Sequence, residues 1–307
     1  MRGCKYEFVY AESSTKPNAL ADLHHIPVRP TIDFFFFRFL QSHNIPIGLF
    51  YRDIYWKFDL FQKELGFWKA NLSKLWFLWD LWQYEKYVDR IYLPSINMAD
   101  YVPIVSSHKM DILPPGCDAR SPSETLREKR DKIQLLYVGG IGQHYELRLL
   151  FEMLQGASKL ELTICTREPQ WLQFQTQYVP LLNENIHIVH KTNKETKQLY
   201  KNSDIAVLFV KPQLYREFAV PFKLFEYIGH GKPVLASAST LVGQMVEEMG
   251  IGWAVPYSKE SLKIFLQHIQ NNPDEIREKE KKAKSISKDH TWLARAQKVA
   301  KDFHWQP

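Results

Sequence analysis

Two periodicities alternate along the chain. Short apolar runs are bounded by turn residues, and between them apolar positions return every three or four residues. The first pattern predicts strands and the second helices. In the first third the strand candidates are "YEFVYA", "IPIGLF" and "RIYLPS", with "DILPPG" closing the series. Between them "IDFFFFRFLQSHN" and "FWKANLSKLWFLWDLWQYEKYV" read as helices. A second series follows. "KIQLLYVGG" predicts a strand, and "HYELRLLFEML" a helix with Leu147, Leu150, Phe151 and Leu154 at i, i+3, i+4 and i+7. Then come the strands "LELTIC", "NIHIVH" and "DIAVLFV", a short helix from Val220, the strand "PVLAS", and "GWAVP" before a charged helical end.

Strands alternating with helices predict layered α/β structure with parallel sheets. Residues 116–131, rich in Pro, Ser and charge, read as a linker between a first domain at 1–115 and a second at 132–289. The predicted architecture is two Rossmann-like, doubly wound domains facing a cleft. Ligands of such sheets collect at the carboxyl ends of the strands. The first domain is short, with too few strands for a full open sheet.

The stretch "VPFKLFEYIGHGKPVLAS" carries the most chemistry. Pro221 suits the first helical position, and Gly231 with Pro233 supplies a stop. At 100° per residue Leu224, Phe225 and Ile228 share one side, while Lys223, Glu226, Tyr227 and His230 share the other. A lysine in the first turn is repelled by the helix N-terminus by about 0.3–1 kcal/mol. Pairing of Lys223 with Glu226 at i, i+3 would relieve part of that. A phosphate held by the lysine and the helix N–H groups would relieve more, and a carboxylate one turn on is placed to accept from ribose hydroxyls.

Composition adds little discrimination. The 307 residues are 45% hydrophobic and 24% charged, an ordinary globular balance. A net charge of +6 favours anionic partners. Three scattered cysteines, Cys4, Cys117 and Cys165, predict a reducing, cytoplasmic setting. The amino end lacks the apolar core of a signal peptide, and Arg38 and His43 interrupt the most apolar window. No membrane-crossing segment is expected. Trp68, Trp76, Trp79 and Trp82 alternate with Lys69, Lys74 and Lys86. A buried aromatic core helix is the favoured reading of that segment, and peripheral contact with an anionic membrane on its inner face is the alternative. No recognition module for nucleic acid is present, so no nucleic-acid partner is expected.

With these residues in view, "PFKLFEYIGHGKPVLAS" resembles the donor-nucleotide motif of GT-B glycosyltransferases, of the group-1, family-4 type common in bacterial polysaccharide assembly. "LLYVGG" resembles the family's first donor-domain strand and glycine turn, "LYKNSDIAVLFV" the strand before the motif, and "DHTWLARAQKVAKDF" its terminal helix. The resemblance implies a GT-B fold in which 132–289 binds the donor nucleotide and 290–307 returns to the acceptor-side domain. It implies transfer of a sugar from a nucleotide-diphosphate donor to a saccharide or lipid-linked acceptor in cell-surface polysaccharide or glycoconjugate synthesis. Retention, independence of metal and the absence of any cofactor besides the donor come with it. On this mapping Glu226 holds the ribose, Lys223 the pyrophosphate, and Leu224 lies between them in the same motif. Two departures stand out. The family's earlier glutamate falls at Phe218, one place beyond Glu217, which would take the sugar from a shifted loop. The family's first strands are missing before "KYEFVYAE", implying a truncated or divergent first domain.

Further candidates follow from position. Gly140 and Gly142 match G-x-G, but Tyr145 stands where a dinucleotide fingerprint has its third glycine. Gly139 and Gly140 would let backbone approach a phosphate, or simply form a tight turn. Arg167 and Lys211 follow strands whose ends open on the expected cleft, and arginine grips diphosphates bidentately. On the acceptor side Glu12 and Asp53 end strands and are the candidate bases, with His24 and His25 as alternatives. Asp53 equally suits an ion pair with Arg52 or a helix cap. No D-x-D, H-E-x-x-H or paired C-x-x-C occurs, so no metal site is expected. Competing readings are a nucleotide-sugar epimerase of the same form, and a relative that binds nucleotide or protein without turnover.

Overall fold

A computed structural model of the chain describes residues 6–118, 131–142 and 145–305. Cys4, most of the stretch read as a linker, and Gln143 and His144 of the glycine turn lie outside the described residues. The chain forms two compact units. The first comprises Met1–Pro114, Phe218–Val220 and Arg295–Pro307, and the second Pro115–Glu217 and Pro221–Ala294.

The first unit is built on four parallel strands, β1 (Val9–Glu12), β2 (Ile47–Phe50), β3 (Arg90–Leu93) and β4 (Met110–Ile112), in running order. Helix α1 (Ile32–Ser42) joins β1 to β2, and α2 (Asp59–Leu65) and α3 (Phe67–Tyr87) join β2 to β3. Successive right-handed crossovers in one direction leave these helices on one face of the sheet. There α1 buries Phe34, Phe37 and Leu40, and the Phe34 ring meets that of Tyr84 on α3 at 6.1 Å. On the other face a side chain at Gly48 would strike Phe303, and Phe50, Tyr92, Leu113 and Val299 form a cluster. Val299 belongs to α11 (Trp292–Asp302). Lys298 anchors that segment through Asp111 at 2.7 Å and Asp302 at 2.9 Å. The tail of the chain therefore supplies the second layer over this sheet.

The tryptophan-rich segment folds otherwise than its favoured reading. The face of α3 toward the core carries Ala70, Ser73, Phe77, Asp80, Leu81 and Tyr84, whereas Trp68 and Trp82 lie exposed. Apolar residues surround the whole helix, so periodicity could not select the inner face. Ala70 and Ser73 let α3 approach its neighbours closely.

The second unit contains six parallel strands: β5 (Ile133–Val138), β6 (Leu160–Cys165), β7 (Ile186–Val189), β8 (Ile205–Leu208), β9 (Val234–Ser237) and β10 (Gly252–Val255). Their spatial order is β7-β6-β5-β8-β9-β10. The order reverses between β5 and β8, as in a doubly wound dinucleotide fold, and opens a crevice at the carboxyl ends there. Helices α4 (Arg148–Met153), α5 (Glu168–Phe174) and α6 (Thr196–Asn202) precede the crossing to β8. After it come α7 (Phe222–Gly229), α8 (Leu241–Glu248), α9 (Lys259–Asn271) and α10 (Pro273–Ile286). The core is continuous from Leu135, Tyr137 and Leu150 through Ile164 and Val207 to Leu266 and Ile269, all at most 3% exposed. Leu147, Leu150, Phe151 and Leu154 are buried as their spacing predicts. The α4 helix itself begins only at Arg148, and before it Gly142 and Tyr145 exchange backbone hydrogen bonds.

Candidate functional site

Helix α7 is placed by both ends. Pro221 sits at its N-cap with φ −74° and ψ 140°, one position earlier than expected, and its ring makes no capping hydrogen bond. A proline there offers the first N–H groups no side-chain acceptor of its own. At the other end Gly231 takes φ +63°. Its N–H donates to Ile228 O, and that of Lys232 to Tyr227 O, closing a Schellman turn. A residue with a side chain would be strained at 231 and would also strike Lys284.

The wheel assigned Tyr227 to the polar side, and the structure corrects this. Tyr227 is fully buried, and its hydroxyl accepts the Val138 N–H at 3.1 Å. A tyrosine can be core and polar at once when its tip finds a partner. That bond fixes α7 against the last residue of β5. Leu224 is likewise fully buried on the apolar face, so its side chain stays in the core.

Lys223 then lies across the glycine turn. A Cβ at Gly139 would overlap its Cε and Nζ, and Gly139 has φ +143°, so glycine is required twice over. The ammonium donates to the Tyr137 hydroxyl at 2.6 Å and sits 3.4 Å from the centroid of the Tyr145 ring. The guanidinium of Arg216, a residue 5% exposed, stacks on the same Tyr145 ring at 4.5 Å. The lysine nitrogen and the guanidinium thus share one tyrosine ring. Burial, reinforced by the Arg216 charge, pushes the Lys223 ammonium well below the ordinary lysine range, with Glu226 pulling the other way. Gln170 completes the turn, its amide donating to Ile141 O at 2.9 Å while its oxygen lies beside Gly140.

Glu226 is half-buried. With Gly116, Cys117, Phe222, Gly229 and Trp292 it lines a cavity of about 220 Å³ within the second unit. Burial, then Tyr227 and Glu226, raise the pKa of the Tyr200 hydroxyl, which is buried without a well-formed hydrogen bond. The Thr166 hydroxyl and the Gln170 side-chain oxygen are also buried without partners. Thr166 immediately follows β6, and Gln170 lies over the glycine turn. Orphaned polar atoms at this edge fit a polar ligand in the crevice.

The remaining candidates divide. Arg167 is exposed just beyond β6 as the N-cap residue of α5, and Lys211 is exposed after β8. Glu217 is exposed at the end of a 3-10 helix, Leu214–Glu217. Phe218, where the family has its glutamate, is buried in the first unit against Tyr101 and Phe58, and its carbonyl accepts from Ser95 at 2.6 Å. In the first unit Glu12, rather than Asp53, pairs with Arg52 at 2.9 Å. Asp53 accepts at 2.9 Å the N–H of Tyr55, the first residue of the 3-10 turn Tyr55–Lys57. His24 pairs with Asp22 at 3.7 Å, and His25 contacts Leu20 O. Among the described residues no three His, Cys, Asp or Glu converge on a metal-sized site. Sequence reasoning missed Tyr137, Tyr145, Arg216 and Tyr200. Only Tyr145 left a signal, by standing where a third glycine belongs.

The model of the glycosyl transferase-like family matches residues 148–301, half of the chain. Among solved structures, HepE of Anabaena in complex with UDP-glucose is 12% identical, with a TM-score of 0.63 over 87% of this chain and 74% of that one. WaaG, a glycosyltransferase involved in lipopolysaccharide biosynthesis, is 16% identical, with a TM-score of 0.62 over 87% and 80%. Sucrose-phosphate synthase from Thermosynechococcus elongatus is 16% identical, with a TM-score of 0.61 over 87% and 69%. At such identities the likeness is one of fold, that of the GT-B class. Sequence comparison with curated proteins finds no match.

Proposed function

The chain belongs to the glycosyl transferase-like family, and on that premise we propose that it transfers a sugar from a nucleotide-diphosphate donor to a saccharide or lipid-linked acceptor. One observation carries the reading. A lysine in the first turn of a helix whose N-cap is proline lies across a glycine turn where the strand order of the second unit reverses. Cation, helix N–H groups and closely approachable backbone are what a diphosphate requires. HepE carries UDP-glucose, and uridine diphosphate is accordingly the first donor nucleotide to test.

In this reading Lys223, Gly139 and Gly140 hold the diphosphate, with Arg167 reaching it from the end of β6. Glu226 accepts from the ribose hydroxyls, and Leu224 contributes through its backbone and by seating the helix. As the sugar leaves, negative charge grows on the diphosphate, and a preorganised cation stabilises it there. Cations rather than a carboxylate pair at this position support transfer without a metal ion or further cofactor. Glu217 contacts the sugar, and Glu12 or Asp53 serves the acceptor hydroxyl. Retention of configuration and a place in cell-surface polysaccharide assembly rest on the family resemblance.

Incubation with a radiolabelled UDP-sugar and extracted saccharide or lipid acceptors tests the proposal. Label joined to acceptor, with the anomeric configuration read by NMR and the rate unchanged by a chelator, is the expected result. Label recovered as an epimerised donor, or bound donor that never turns over, overturns it.

A further inference from the structure

Helix α1 is apolar on both sides. Opposite its buried Phe34, Phe37 and Leu40 it exposes Ile32, Phe35, Phe36 and Phe39, with Phe35 64% exposed. A helix that is hydrophobic all round is normally enclosed, and this one is not. Its neighbour α3 repeats the pattern over greater length. Trp68, Leu72, Leu75, Trp79 and Trp82 fall at i, i+4, i+7, i+11 and i+14, a single stripe opposite the core face. Trp68 is 82% exposed and Leu75 65%. The stripe rises about 1.5 Å per residue, so it runs for roughly 20 Å along the helix. Because the strands of this unit run in simple order, both helices lie on one face of the sheet, and their outer sides look the same way. The connection before α1 adds Leu23, Ile26 and Val28, all exposed. Such a continuous apolar surface marks an interaction site.

The charges decide what covers it. On α3 the exposed or half-buried cations beside the stripe are Lys69, Lys74 and Lys86. The acids of that helix turn elsewhere: Asp80 is buried, and Glu85 accepts from Ser106. Lys86 folds back over the Trp82 and Tyr87 rings at 5.6 and 5.1 Å. Arg38 is exposed on α1. Of the nearby carboxylates, Asp22 and Asp33 keep to the start of α1, where burial and the Asp22 charge raise the pKa of Asp33, and Asp59 and Glu64 lie on α2 beside Lys63. Indole and phenyl rings flanked by lysines, one of them folded over a tryptophan, suit the boundary between acyl chains and anionic headgroups. No helix among the described residues is long and apolar enough to cross a membrane, so contact would be confined to that boundary.

We propose that the outer faces of α1 and α3 form a docking surface for an anionic lipid bilayer, with Phe35, Phe36, Phe39, Trp68 and Trp82 entering the interface and Lys69 and Lys86 meeting the headgroups. The surface lies wholly in the first unit and is independent of the donor reading.

Co-sedimentation with phosphatidylglycerol-containing vesicles and with pure phosphatidylcholine vesicles tests it. The wild-type chain partitions onto the anionic vesicles. The triple variant Phe35→Ser, Phe36→Ser, Phe39→Ser loses at least tenfold, and Trp68→Ser with Leu72→Ser loses a comparable factor from the second helix. Lys69→Glu with Lys86→Glu abolishes the preference for anionic lipid. These side chains lie outside the core; the unfolding midpoint of each variant verifies folding, and the added shift produced by UDP reports separately on the donor site. Absence of vesicle binding, or binding indifferent to both apolar variants, overturns the proposal. So does a wild-type dimer in sedimentation velocity that the triple variant converts to monomer, since the cover would then be a second copy.

Discussion

Replacing Lys223 by alanine removes one ammonium and leaves the ribose and base contacts in place. A charge-assisted hydrogen bond is worth about 1.5–3 kcal/mol, so affinity for UDP should fall by about 10- to 150-fold. Uridine, which lacks the diphosphate, should lose less than about twofold by the same reasoning. The free protein sharpens the test. Burial, with the Arg216 guanidinium nearby, holds the Lys223 pKa low, and a bound diphosphate raises it again. Between the free and bound values, binding draws a proton from solution, and affinity falls as pH rises through that interval. Isothermal titration of UDP and uridine in two buffers of different ionisation enthalpy measures both effects. At a pH between those two values wild-type protein should take up protons with UDP and none through this group with uridine, and Lys223→Ala should lose that uptake. Equal losses for UDP and uridine, or proton uptake unchanged in the variant, would refute the phosphate role.

Glu226→Ala should weaken uridine and UDP alike, by about tenfold for one or two charge-assisted bonds to the ribose; calorimetry showing undiminished uridine affinity removes Glu226 from the nucleoside. Asp80 predicts a pH dependence of stability. Burial raises its pKa to about 7, partly offset by the Asn18 N–H that one oxygen accepts at 2.8 Å. Because the folded value lies above the ordinary value of about 3.9, its contribution is complete at acid pH and is lost as pH rises toward 7. At about 1.4 kcal/mol per unit of displacement, the urea midpoint of the wild type should fall between about pH 4 and 7 relative to that of Asp80→Asn. A midpoint difference that is flat or rises with pH contradicts this.

Much of the second unit was legible because its strands are buried on both sides. "LELTIC" is the β6 strand to the residue, since apolar runs between turn signals leave little choice of boundary. The motif helix was legible too, through its stop at Gly231. Its inner face was less so. Tyr227 reads as polar by type, and only the Val138 N–H at the end of β5, 89 positions away in sequence, turns it inward. The same limit hid Arg216, a buried cation in the polar run "QLYRE" whose partner ring comes from the glycine turn. In the first unit the positions of α1 and α3 were readable, but the choice of buried face was not. Both helices carry apolar residues on every side, and the small Ala70 and Ser73 decide what can pack. The Arg52–Glu12 pair was not legible because the Arg52 side chain reaches across to the adjacent β1 strand.

The layer that Val299 and Phe303 lay over the first sheet has a consequence for biosynthesis. A ribosome delivers the strands that end at Ile112 long before it delivers the side chains that cover Gly48, Phe50 and Tyr92. Until then one side of that nascent sheet faces water, while the later-made unit already contains every strand it requires. Maturation must therefore run against the direction of translation, with the part emerging first completed last.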